Sequence, residues 1–342
     1  MQADHSTLSP AALGRAALGA AAGRLAAVRE TFSTEHRTIG AAALRIMLGA
    51  TTLMMYALHF QQRAFLWGDR GVFPRDVNAT FLALRNSWSV YNIGSSETLH
   101  ALIFVAGMIV TALFTVGFMT RITSVLFFVF TFSLYTRNEI LLDGGNNLLM
   151  LIAFFLMFVD VSGRRIPSAA TGAPAQNRYL ALLHNLGVLA IIGQISILYF
   201  TSAWAKMMGH MWQDGTAIYY VLRTAEFHLS PLTDFLIQNP LIVVVATYAT
   251  IILQVGFPFM IWNKTLKYPW ILAACSFHIG IAYFMGLVWF SLTMLSCELI
   301  LVSDHAYLEL WREAKSAFTW LRLTYFGRAR AAAPAVVTER AS

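Results

Sequence analysis

The stretch from Gln194 to Tyr220, QISILYFTSAWAKMMGHMWQDGTAIYY, ends an apolar run in a lone lysine, Lys206, and follows it with Trp212 and an Asp214-Gly215 turn. A lysine in that place has two readings. It snorkels its ammonium to a membrane interface, or, held in low dielectric where the charged form is disfavoured, it works as a base. Three other places put polar groups where apolar surroundings make them expensive, and so candidates for function. The segment RNEILLDGGNNLLM sets Arg137, Glu139, Asp143, Asn146 and Asn147 between two apolar runs, with Gly144 and Gly145 allowing a sharp turn. It reads either as a hairpin whose Asp and Asn cap a helix or as a hydrogen-bonding edge for a substrate. His278 lies about ten residues into the run that starts near 268, roughly 15 Å along a helix, and is either a structural hydrogen-bonding group or catalytic. Glu298, about eleven residues into the following run at helical rise, must be protonated or paired, in a structural or a proton-relay role.

The elements that must hold these groups are membrane helices. The chain is 58% hydrophobic and only 12% charged, against roughly 25% charged in a soluble domain. Runs long enough to approach or cross an apolar layer of about 30 Å lie at 39–60, 101–119, 122–136, 147–162, 181–203, 241–262, 268–285 and 287–303. They are continuously apolar rather than alternating, which favours helices over a barrel. The expected fold is all-α, a polytopic bundle of about eight transmembrane helices. Arg63, Arg70, Arg75, Arg85, Arg137, Lys206 and Arg223 fall on one side of the layer and Arg45 within it. The remaining sixteen of the 24 basic residues fall on the other side, so the N- and C-termini are expected to be cytoplasmic. The formal charge of +7 then suits anionic membrane lipid, and no nucleic-acid partner is expected.

Three regions follow: an Ala/Arg-rich cytoplasmic arm (1–35) that matches a cleavable signal peptide poorly, a membrane domain (36–305), and a tail (306–342). In the tail Tyr307, Leu308, Trp311, Ala314, Phe318, Leu321 and Tyr325 recur at helical spacing among basic residues. That pattern predicts a helix on the inner membrane surface followed by a disordered end. The long segments 61–100 and 204–240 are rich in aromatic residues and are expected to cap an outward cavity, while 163–179 reads as a flexible linker. Lys206 and the DGGNN turn emerge on the same face in this topology, so the scattered polar groups are expected to converge on one outward pocket. Cys275 and Cys297 read as buried small apolar residues, and no ligand spacing for a metal is present.

Three segments, DGGNNLLMLIAFFLMFVD, YFTSAWAKMMGHMWQDGTAIYY and FHIGIAYFMGLVWFSLTMLSCELIL, resemble in that order the signature regions of the HTTM (horizontally transferred transmembrane) family. That family is related to the vitamin K-dependent gamma-carboxylases and includes the B component of bacterial sporulation-delaying peptide-toxin systems. The resemblance extends over roughly 36–305. It implies that Lys206, seven residues after Tyr199, is a base toward a reduced quinone of the vitamin K or menaquinone type or toward a peptide. It further implies that Asn146 and Asn147 hydrogen-bond the substrate head group, with His278 and Asp214 in support and Asp143, Trp212 and Glu298 on the substrate side. Where the carboxylases carry Asn-Asn-His this chain has Asn146-Asn147-Leu148. The resemblance therefore implies maturation of a secreted peptide, with a co-encoded partner in a bacterial plasma membrane, rather than glutamate carboxylation. A non-enzymatic scaffold for the peptide and a transporter are the rival readings.

Overall fold

The computed structural model describes residues 34–163, 177–227 and 231–322, with isolated positions at Gly19, Gly23 and Thr324. The arm before 34, most of the linker and the chain beyond 324, Tyr325 included, lie outside the described residues. All eight apolar runs fold as helices: α1 (Thr38–Leu58), α4 (Glu97–Val116), α5 (Thr120–Arg137), α6 (Gly144–Leu156), α7 (Arg178–Met207), α11 (Pro240–Met260), α12 (Lys267–Met285) and α13 (Val288–Glu298). Between them, the long segments form short helices: α2 (Arg63–Trp67), α3 (Arg75–Leu84), α8 (His210–Gln213), α9 (Ala217–Arg223) and α10 (Pro231–Gln238). A last helix, α14 (Asp304–Leu321), follows the bundle. Among the described residues there is no strand.

Five helices, α1, α4, α7, α11 and α12, are long and apolar enough to cross a membrane; α6 and α13 are shorter apolar helices. Although long enough, α5 is more polar, because Thr120, Thr123, Ser124, Thr131, Ser133, Thr136 and Arg137 are turned into the bundle. The Thr136 hydroxyl donates to the Phe132 carbonyl one turn back, the usual way a helix satisfies such a group away from water.

Helix α1 is the centre, packed on α4 and α13; α7 packs on α11, and α6 bridges α5, α7 and α13. The bundle has two ends. At the tail end, the Arg37 guanidinium donates to the carbonyls of Ile300 (3.0 Å) and Leu301, while the Thr38 and Ile39 amides donate to the Asp304 carboxylate. Buried Arg45 donates to Phe114 O (2.7 Å) and Thr115 O in the last turn of α4 and to Val161 O (2.9 Å) beyond α6, tying the two helix ends together. Helix α4 ends at its C-cap Gly117, at φ 81°, where a Cβ would sit 3.1 Å from the Arg45 guanidinium.

At the opposite, loop end the segment 59–96 is tied over α5. Arg137 is fully buried and donates to Gly68 O (2.6 Å) and Phe73 O (2.8 Å). Asn138 donates to Leu66 O, and Asn78 to Thr136 O. Helix α14 contains no buried residue, and its Trp311, Phe318 and Trp320 are exposed. It is anchored at its start, where the Ser303 hydroxyl accepts from the Ala306 amide and the Tyr307 phenol donates to Leu299 O.

Candidate functional site

Three centres hold the polar groups. The first is buried between α7, α12 and α13. Tyr199 Oη lies 2.7 Å from Glu298 Oε1 and 2.8 Å from His278 Nε2, and Cys275 Sγ lies 2.8 Å from Glu298 Oε2. Two proton arrangements fit these contacts. With Glu298 ionised, the phenol hydrogen goes to the carboxylate and His278 carries a proton on Nε2 toward Tyr199; with Glu298 protonated, the carboxyl donates to Tyr199 and the phenol donates to His278 Nε2. His278 Nδ1 is buried and makes no hydrogen bond with a described residue. Tyr199 is held by a stacked Phe257 ring at 3.8 Å and His278 by Phe277 and Phe290. The partners of Glu298 are thus Tyr199 and Cys275, with His278 Nε2 3.9 Å away. A histidine, a phenol and a carboxylate in series form a line along which a proton can pass.

The second centre is Lys206, in the last turn of α7. It stands two turns beyond Tyr199, roughly 10 Å along the axis and on the same face. Its Nζ lies 3.4 Å from Ser202 O and 5.3 Å from the centroid of the half-buried Trp212 ring, and it forms no ion pair with any described residue. Asp214 follows, exposed, at the end of α8. The turn is pinned where the Tyr248 phenol donates to Gln213 O.

The third centre is the start of α6. Asp143 accepts from the Asn146 amide at 2.9 Å while the Asn146 side chain accepts from the Asp143 amide at 3.0 Å, a reciprocal capping box. Asn147 is exposed, its amide 3.4 Å from Asp143 O. Beside the box opens a cavity of about 230 Å³ between α1, the end of α5, α6 and α13. Asp143 and Asn146 line it with His59, Trp67, Tyr135 and Trp289. A Cβ at Gly145 would stand 2.7 Å from Phe290 Cα, so α6 starts hard against α13. The Phe290 ring packs on the His278 ring, while its neighbour Trp289 lines the cavity.

The sequence leads to one expected pocket; the structure holds adjoining centres, with Lys206 and His278 outside the cavity lining. Tyr199, Cys275, His59, Trp67 and Trp289 were not singled out for chemistry by sequence, because tyrosine, cysteine and tryptophan read as ordinary apolar or interfacial residues. The available signal for Tyr199 was its i, i+7 spacing to Lys206. Among the described residues no group of three or more His, Cys, Asp or Glu side chains could hold a metal ion.

No family model matches the chain, and no solved structure matches it. Two curated proteins of Bacillus subtilis (strain 168) are similar to it. The uncharacterized protein YitO is 26% identical over 228 residues, 65% of this chain and 73% of YitO. The sporulation-delaying protein SdpB is 24% identical over 269 residues, 76% of this chain and 79% of SdpB. The chain is thus a distant relative of SdpB, with the helical architecture of a bacterial membrane protein.

Proposed function

We propose that this chain is a plasma-membrane, multi-pass protein of the HTTM, vitamin K-dependent-carboxylase-like type, closest to the sporulation-delaying-protein-B branch. Its work is base-assisted, quinol-type redox chemistry in the maturation of a secreted peptide, with a co-encoded partner. The observation that carries this reading is the similarity to SdpB over 76% of the chain; the setting of Lys206 supports its finer part. Among the described residues no carboxylate pairs with Lys206 Nζ, which rests over the Trp212 ring.

The head group of a reduced quinone fits these residues: a flat ring can lie against Trp212 while a hydroxyl meets the unpaired amine. When bound, such a quinol would supply reducing equivalents. The chain's own residues do the rest. Lys206 takes a proton from a hydroxyl at the loop end, and Trp212 and Asp214 flank it. His278, through Tyr199, and Glu298 hold and move a proton two turns below. Asp143, Asn146 and Asn147 offer hydrogen bonds to the peptide substrate at the start of α6.

The test is mass spectrometry of quinones co-purifying with wild-type and Lys206→Ala protein, with oxygen uptake measured on reduced menaquinone. Bound quinone, with oxygen uptake lost in Lys206→Ala, is expected. Wild-type protein without quinone and without uptake would leave a non-catalytic peptide scaffold as the better reading.

A further inference from the structure

The cavity beside α6 has a chemistry of its own. Its lining contains one carboxylate, Asp143, and no lysine or arginine. Its walls are aromatic: the rings of Trp67 and Trp289 lie 5.9 and 6.4 Å from that of His59, and Tyr135 completes the lining. Among its polar atoms are several acceptors that the described residues leave unused. His59 Nδ1 faces Met55 O at 2.9 Å; a carbonyl only accepts, so the proton is on Nδ1 and Nε2 is a free lone pair. Asp143 uses Oδ1 for the helix cap, and Oδ2 makes no hydrogen bond with a described residue. The hydroxyls of Thr51, Thr52 and Thr293 all donate to carbonyls of their own helices, leaving lone pairs toward the space they line.

One negative charge, aromatic faces and unused acceptors make a site for a cation that donates hydrogen bonds. Aromatic walls attract a cation through the ring quadrupole, and an ammonium has three donors and no acceptor. A quaternary ammonium would need only the rings, whereas His59 Nε2 and Asp143 Oδ2 match N–H groups. We propose that this cavity binds a primary ammonium group of a peptide, a lysine side chain or an N-terminus, entering past the exposed residues Gln62 and Leu141. The assignment rests on the peptide-maturation reading for the source of the amine.

The experiment is isothermal titration of the purified full-length protein with Nα-acetyl-lysine methylamide and with its Nζ-acetylated counterpart. The lysine probe is expected to bind, and the neutral probe to bind at least about tenfold more weakly, the weight of one hydrogen-bonded charge. Asp143→Asn should weaken the lysine probe by about tenfold, and since Asn also caps helices well the start of α6 stays intact. Trp289→Leu should weaken it by about threefold or more, and His59→Phe should weaken it too, while Lys206→Ala binds like wild type. Absence of binding to wild type, equal binding of the two probes, or an Asp143→Asn protein that binds normally would overturn the assignment. So would displacement of the probe by phosphatidylethanolamine, which would give the cavity to a lipid head group. Because binding is read on the purified protein, its failure leaves the maturation reading standing, and failed maturation leaves binding measurable.

Discussion

At the scale of single residues, the buried line His278–Tyr199–Glu298 gives the sharpest expectations. Tyr199→Phe removes the one hydroxyl between the other two groups. The ring packing on Phe257 survives, but His278 Nε2 and Glu298 Oε1 lose their partner. Leaving buried polar atoms unpaired costs about 1–3 kcal/mol, so thermal unfolding in detergent should show a clear loss. Glu298→Gln makes a separate comparison. It keeps shape and an accepting oxygen while removing the acid, so its fold should persist while peptide maturation falls if the line carries protons; full activity would leave the line a structural one. His278 and Glu298 were legible in the sequence because a charge or an imidazole stands out in an apolar run. Tyr199 and Cys275 were not legible, since each counts as apolar until a partner from another helix is seen. The pairing of Glu298 joins α7, α12 and α13 across 99 residues, and no local pattern encodes such a contact.

At the scale of elements, hydrophobic continuity alone placed all eight bundle helices, because a helix in an apolar layer must be continuously apolar and self-satisfied. The connections were less legible. Segment 59–96 folds into α2 and α3, whose positions depend on carbonyls tied to Arg137 and Asn138 rather than on their own short periodicity. Arg137 itself reads in the sequence as a residue of an outer loop, and the structure buries it as the tie between that segment and α5. Arg137→Leu strips the donors from Gly68 O and Phe73 O together. It should destabilise the protein by about 3 kcal/mol or more and expose 59–96 to limited proteolysis, which wild type should resist. The start of α6 calls for a milder change: Asp143→Ala removes an N-cap and should cost about 1 kcal/mol, read as a lower melting temperature that Asp143→Asn does not share.

For the whole molecule, the distribution of basic residues expects the loop end, with the cavity and Lys206, to face outward and the tail end to face the cytoplasm. In a Cys275→Ser, Cys297→Ala background, Thr80→Cys on α3 should react with a membrane-impermeant maleimide in intact cells, and Lys264→Cys should not; the reverse pattern would invert the molecule. The exposed Trp311 and Phe318, seven residues apart on one face of α14, fit a helix lying on a membrane surface, and truncation after Tyr307, which keeps the Asp304 and Tyr307 hydrogen bonds, should release little of the bundle's stability, since α14 contributes no buried residue. What the sequence does not convey at this scale is how the polar groups are shared out. Where one pocket is expected, His278 and Glu298 lie in a buried proton line and Asp143 and Asn146 line a separate cavity. The most direct measurement compares the peptides secreted by the source organism, by a strain lacking this gene, and by that strain carrying wild-type or Lys206→Ala protein at equal expression. A secreted peptide whose mass changes on deletion, is restored by wild type and is not restored by Lys206→Ala is expected; an identical peptide profile in all four would contradict the proposed role.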